Sequence, residues 1–153
     1  MTWQPPPIGA SATRTRTFTA EDVELFARIS GDRNPLHFDA EFAARTRVGR
    51  LVVQGGLTTG LFNALVAMDL PGPGSVFLHQ EWDYPAPVFM GDTITAEATV
   101  IEARADKPIT RLRCVARRAD GTEVLQGECL VYTMLPEATQ PVRRTTVKGS
   151  LNG

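Results

Sequence analysis

Between Leu57 and Met68 the chain carries apolar side chains on almost every side of a would-be helix. Leu57, Leu61, Leu65 and Met68 share one face, Ala64 lies beside them, and Phe62 and Val66 extend the apolar surface sideways. A helix with so little polar surface is buried when the chain folds, so the rest of the sequence must wrap it. The segment Asp69-Leu70-Pro71-Gly72-Pro73-Gly74 cannot continue a helix. From Ser75 the apolar period changes to two, the mark of strands with one buried face. Strands are expected over Val76–Tyr84, Thr93 to about Arg104, Ile109–Arg118 and Thr122–Met134. They are separated by Pro85-Ala86-Pro87, Gly91-Asp92, Asp106-Lys107-Pro108 and Asp120-Gly121.

The last of these turns can be tested for register. A two-residue Asp120-Gly121 turn sets Leu112 opposite Cys129, Arg113 opposite Glu128 and Cys114 opposite Gly127. One face then carries Leu112, Cys114, Ala116, Leu125, Cys129 and Val131, and the other carries Arg111, Arg113 and Arg117. The register is therefore coherent. It makes Cys114 and Cys129 diagonal neighbours, ~7–8 Å apart, too far for an easy disulfide, so both are expected as buried, reduced thiols. The Leu57–Met68 helix is the only element large enough to cover the apolar face. The expected fold class is α+β: an antiparallel sheet wrapped around a central apolar helix, the hot-dog arrangement.

A length of 153 residues fits one domain without disulfide or metal support. Residues 1–16, proline-rich and then Thr/Arg-alternating, are expected as an N-terminal arm whose end is an edge strand or its lead-in. Trp3 packs on the body or on a partner. Residues 17–136 form the domain, and 137–153 a C-terminal tail. A net charge of −1 gives no bulk attraction to nucleic acid or an anionic membrane. No apolar run approaches the ~20 residues of a membrane span. The N-terminus lacks the basic and apolar regions of a signal peptide, and two cysteines supply no metal spacing. A cytoplasmic protein is the expectation.

Thr19 is a natural N-cap, with Asp22 in a capping-box position and Glu21, Asp22 and Glu24 on the positive end of the dipole. Val23, Phe26, Ala27 and Ile29/Ser30 form the buried face of this first helix, and Gly31 ends it. Pro35 then excludes Asn34 from the helical region. Asp32 to His37 is thus a fixed turn, followed by a short helix from Ala40 to about Arg45 with Asp39 as N-cap. Taken singly, Asp32 reads as a turn cap and His37 as half-buried packing. Taken together, a carboxylate and an imidazole five residues apart across a proline-locked turn can share one water, and Asn34 can orient either of them or the water. Gln54-Gly55-Gly56 opens the central helix. Its glycines suit a tight turn, and its unpaired N–H groups suit a developing negative charge. His79, in an alternating strand, reads as a structural or surface residue. Asp32, His37 and His79 lack the close spacing of a metal site.

The run Phe26-Ala27-Arg28-Ile29-Ser30-Gly31-Asp32-Arg33-Asn34-Pro35-Leu36-His37, with Phe38-Asp39 and Phe42-Ala43, closely resembles the signature of MaoC-like dehydratases, the R-specific enoyl-CoA hydratases. The resemblance continues through Val53-Gln54-Gly55-Gly56-Leu57, Leu70-Pro71-Gly72-Pro73-Gly74-Ser75 and Pro87 to Ile94, covering roughly residues 15–135. It implies a hot-dog fold, a homodimer or double hot-dog, and reversible addition of water to a trans-2-enoyl thioester with no cofactor. Enoyl-CoA is the expected form, giving the R-3-hydroxyacyl product, with an acyl carrier protein as the other carrier. It further implies catalytic Asp32 and His37 and an oxyanion-binding N–H at Gly55. Gln54 stands where this family usually has histidine and Gly56 where it commonly has methionine, which bears on the pocket mouth. Asn63 and Val66, on the sideways face of the central helix, are the expected chain-length determinants, with Asn34, Gln54 and Gly56 completing the substrate-binding set. The competing readings are a hot-dog acyl-thioester hydrolase, which needs a carboxylate aimed at the carbonyl, and a non-catalytic acyl-binding or dimerisation module.

Overall fold

Thr19 closes the first turn of the first helix as its sequence dictates. Its hydroxyl accepts the Asp22 N–H at 3.3 Å and its own N–H donates to the Asp22 carboxylate at 3.1 Å. The computed structural model describes residues 2–137; the expected tail lies, from residue 138 on, outside the described residues. The order is β1 (Ser11–Thr17), α1 (Ala20–Ser30), α2 (Pro35–Phe38), α3 (Ala40–Ala44), α4 (Gly55–Met68), β2 (Ser75–Asp83), β3 (Thr93–Ala103), β4 (Ile109–Arg118) and β5 (Glu123–Thr133). All five strands form one antiparallel sheet in the order β1-β3-β4-β5-β2.

The boundary expected at residue 16 falls inside β1, which pairs with β3 from Ser11↔Thr99 to Thr17↔Thr93. Residues before it are also held to the body: the Trp3 indole donates to the Arg104 carbonyl at 2.8 Å, and Gly9 N–H donates to Val100 O. Backbone pairing to the edge of β3 holds a segment whose composition alone suggests a free arm.

The β4–β5 register is the expected one, with Leu112↔Cys129, Arg113↔Glu128 and Cys114↔Gly127. The turn reaches it differently. Only Gly121 has positive φ (86°), Arg118 N–H donates to Thr122 O, and the register shifts between Ala116 and Arg117. A two-residue primed turn needs positive φ at Asp120 as well. The chain uses a longer turn instead and recovers register through a bulge. The diagonal thiols of Cys114 and Cys129 face each other at 3.8 Å, both buried and unbridged. Contact with the Cys129 sulfur, then burial, pushes the Cys114 thiol far up.

The helix α4 lies on the apolar face of this sheet, confirming the hot-dog arrangement. Ala96, Ala98 and Ala116 are fully buried and small, so the helix comes down close, and Leu61, Phe62, Leu65 and Val66 fill the space between. Phe62 stacks on Trp82 with ring centroids 5.4 Å apart. The buried stripe is Thr58, Leu61, Phe62, Leu65 and Val66, rotated from the expected Leu57–Leu61–Leu65–Met68 stripe; Met68 is exposed. When a helix is apolar all round, periodicity does not select a face, and the sheet does. The outer face of α1 differs likewise: Val23 and Ala27 are buried, whereas Ile29 is 87% exposed and Ser30 is exposed.

Asp22 is the one buried carboxylate among the described residues. Its bidentate pair with Arg16, at 2.6 and 3.2 Å, holds its pKa below the usual carboxylate range, and the Thr19 N–H adds to this. A depressed folded pKa stabilises the fold above the unfolded value of about 3.9, and that contribution is lost as pH falls through the folded value. Asp22→Asn is therefore expected to cost about 1 kcal/mol at pH 7. The gap to the parent should narrow when urea unfolding is repeated near pH 3.

Candidate active site

Gly31 ends α1 in the left-handed conformation (φ 79°), a backbone state open to glycine. The chain then turns back through Asp32. Three local bonds fix this turn. Ser30 Oγ donates to Phe26 O at 2.7 Å and accepts the Asp32 N–H at 3.1 Å, while Asn34 N–H donates to Asp32 Oδ1 at 3.1 Å. Arg33 points away from it, bonded to Glu24 on α1 at 2.9 and 3.2 Å. Asn34 does not orient the pair with its side chain, as the sequence suggested. Its Oδ1 accepts Leu36 N–H at 3.0 Å and caps α2, and only its backbone N–H reaches Asp32. Pro35, at the first position of α2, needs no N–H partner there.

On α2, His37 is buried. Its Nδ1 lies 2.7 Å from Val52 O, and its Nε2 lies 3.4 Å from Asp32 Oδ2. A carbonyl can only accept, so Nδ1 carries the proton and fixes the tautomer. In the neutral ring Nε2 then offers a lone pair beside the carboxylate. The 3.4 Å gap exceeds a direct hydrogen bond, and with Nδ1 protonated both atoms are acceptors. One water can donate an O–H to each, which turns its own lone pairs toward an incoming electrophile. The Asp32 side chain is 41% exposed and that of His37 only 9%, so one partner is anchored and the other meets solvent.

The carbonyl that anchors His37 belongs to the strand-like segment leading into α4. Val52 N–H donates to Leu36 O, Val53 N–H donates to Val88 O, and Val52 bridges Phe89. Two residues later α4 starts. The N–H groups of Gly55 and Gly56 have no acceptor among the described residues, and the helix dipole adds partial positive charge there. The Asp32/His37 pair and the helix start are therefore held together by one backbone strand.

The remaining expected site residues divide. Gly56 and Asn63 line a groove of about 550 Å³ between α1, β1 and α4, together with Leu25, Phe26, Ile29 and Leu57. The Phe26 ring lies so close over Gly56 that any side chain there would displace it. Gly55 lines a separate cavity on the other side. Gln54, expected at the pocket mouth, is 1% exposed. Its amide donates to Val23 O at 3.0 Å and ties α1 to the start of α4. Val66 is in the core against the sheet, so Asn63 and Val66 do not share a surface. His79 sits on the edge strand β2 and bonds Glu81 at 3.0 Å. Sequence reasoning missed Val52 and Ser30. Val52 acts through its carbonyl, which leaves no signature in residue type. Ser30, expected on the buried face of the first helix, is instead exposed and a local clamp on Asp32.

The family model described as "MaoC like domain" matches residues 5–123. The chain belongs to the MaoC-like family. Among its relatives, the "(R)-specific enoyl-CoA hydratase" of Aeromonas caviae is 41% identical over 124 residues, covering 81% of this chain and 92% of that protein. A "3-hydroxybutyryl-CoA dehydratase" of Methylorubrum extorquens is 36% identical over 135 residues, covering 88% of this chain and 85% of that one. In three dimensions this MaoC-like chain matches the solved (R)-hydratase of A. caviae with a TM-score of 0.81, at 40% identity, over 84% of this chain and 98% of that one. An unliganded R-hydratase of Pseudomonas aeruginosa gives 0.78 at 33% identity, over 89% and 90% of the two chains.

Proposed function

We propose that this MaoC-like protein is an R-specific enoyl-CoA hydratase, adding water reversibly across the double bond of a trans-2-enoyl thioester. The single observation that carries the reading is the arrangement of His37 and Asp32 as two neighbouring acceptors, Nε2 and Oδ2, 3.4 Å apart and anchored through Val52 to the start of α4. The names of the relatives, at 35–41% identity, point to the same reaction.

The Gly55 N–H and the α4 dipole polarise the thioester carbonyl, making C3 electrophilic. The water held by the pair attacks C3. Its O–H bond breaks, Asp32 takes the proton, and the electron pair of the double bond moves through C2 onto the carbonyl oxygen. The enolate collapses as C2 takes back the proton that Asp32 received from the water, directly or relayed through His37 Nε2, on the face that the water occupied. Water, substrate and these two side chains balance every proton and electron pair, so the reaction calls for no cofactor.

A hydrolase needs the carboxylate aimed at the carbonyl carbon, whereas Asp32 is turned toward His37. The direct test is a panel of trans-2-enoyl-CoA esters followed by loss of the conjugated-thioester absorbance, with free thiol assayed in parallel. Hydration without thiol release is the expected result; thiol release, or thioester binding with no turnover, overturns it. The panel also reads out chain length. Asn63, exposed in the groove beside α1, is proposed to favour short or oxygenated acyl chains, and Asn63→Ala should shift the profile toward longer ones.

The protein is further proposed to act as a homodimer or higher homo-oligomer. The groove is open, with Ile29 and Leu25 exposed along it, and β2 leaves a free sheet edge beside exposed Leu78. Light scattering coupled to size exclusion tests this directly. No described helix is long and apolar enough to cross a membrane. The two unbridged thiols suit the reducing cytoplasm proposed as its location.

A further inference from the structure

The cavity on the other side of the α4 start holds polar groups that this mechanism leaves unused. It measures about 280 Å³ and is lined by Val53, Gly55, Thr58, Tyr84, Val88 and Val124, among others. A Cβ at Gly55 would stand 3.0 Å from Tyr84 Cε1 and 3.6 Å from the Tyr84 hydroxyl. The phenol therefore packs against Cα of the first helical residue and shares a cavity with it. It forms no hydrogen bond with the described residues. A second, independent sign of a ligand lies deeper: Thr58 is 1% exposed, and its hydroxyl has no partner among the described residues. Buried hydroxyls are almost always partnered, and an unpartnered one lining a cavity calls for an occupant that supplies the bond.

The geometry points to Tyr84 as a second donor to the thioester oxygen, its O–H acting with the Gly55 N–H on the carbonyl and then on the enolate. This rests on the hydratase reading above and adds a catalytic residue to it. One hydrogen-bond donor leaves half of an enolate's charge-assisted bonding to solvent. Two preorganised donors replace it without reorganisation at the moment of reaction. The ring is half exposed, and burial of the rest raises the phenol's pKa above its ordinary value, so it is a protonated donor at neutral pH. The position of Gly55 follows from the same contact. A Cβ there would crowd the Tyr84 ring at 3.0 Å.

The test is Tyr84→Phe, which keeps the ring against Gly55 and removes only the hydroxyl, with thermal unfolding confirming an unchanged fold. The expected result with crotonyl-CoA is a kcat about 10²-fold lower, by analogy with removal of one oxyanion donor, and a KM within about twofold of the parent. Because the hydroxyl is assigned to the oxygen, 3-oxobutyryl-CoA is expected to give an ultraviolet enolate band with the parent that the variant loses. A kcat at the parental level overturns the assignment, as does a loss of kcat with that band unchanged. A parent protein inert toward enoyl thioesters removes the hydratase reading and this role with it; an active parent whose Y84F variant matches it removes this role alone.

Discussion

His37→Ala and Asp32→Asn are each expected to lower kcat for enoyl-CoA hydration by about 10²–10⁴-fold, the range of a positioned acid or base. The two substitutions fail differently. Asp32→Asn keeps an oxygen for the Asn34 N–H, which now bonds Asp32 Oδ1 at 3.1 Å, so the turn stays closed while the proton acceptor is gone. His37→Ala also empties the ring's place and releases the Val52 carbonyl held at 2.7 Å, so it carries a stability cost as well. Since both side chains act on one water, the double variant should be little slower than either single one. Steady-state rates of the three variants, each shown folded by circular dichroism, check this. A single variant at the parental rate would falsify the assignment of that residue.

Gly127→Ala is expected to be the most damaging single methyl addition in the sheet. Gly127 on β5 lies between Cys114 of β4 and Trp82 of β2, and a Cβ there would run into the Glu81 backbone carbonyl and reach Trp82 Cε3 at 3.0 Å. A carbonyl in a ladder cannot rotate out of the way, so β2 must move off β5. Overpacking of this kind costs about 1–3 kcal/mol or more. At about 2–4 °C per kcal/mol for a chain of this size, Tm should fall by roughly 2–12 °C. The matched control is Gly60→Ala within α4, where the added Cβ meets nothing within 4 Å. It should stabilise the protein by about 0.5–1 kcal/mol, because alanine loses less entropy in a helix. Opposite signs from one substitution type, read by thermal unfolding, separate contact from propensity.

The turn that brings Asp32 and His37 together was legible because its geometry is local. Gly31 stops α1, Pro35 starts α2, and the four residues between Asp32 and His37 have few ways to run. The β4–β5 register was legible because alternating side chains leave one consistent pairing, and it survived a turn of a different type. The stripe on α4 was not legible, because a helix apolar all round looks the same from each side until a sheet claims one of them. Gln54 was misplaced because a polar residue in a glycine-rich turn reads as surface. What buries it is its amide bond to Val23 O, thirty-one residues earlier in the chain.

The sequence by itself determined most of the elements, their order, the apolar face of the sheet and the turn that joins Asp32 to His37, all of which follow from local backbone chemistry or period. Only the tertiary structure decided that the Val52 carbonyl fixes the tautomer of His37 and that Gly56 and Asn63 open on one side of α4. It also set Gly55, Thr58 and Tyr84 together on the other side. Those relations join residues far apart in the chain through backbone atoms and cavity walls, and neither leaves a trace in residue type.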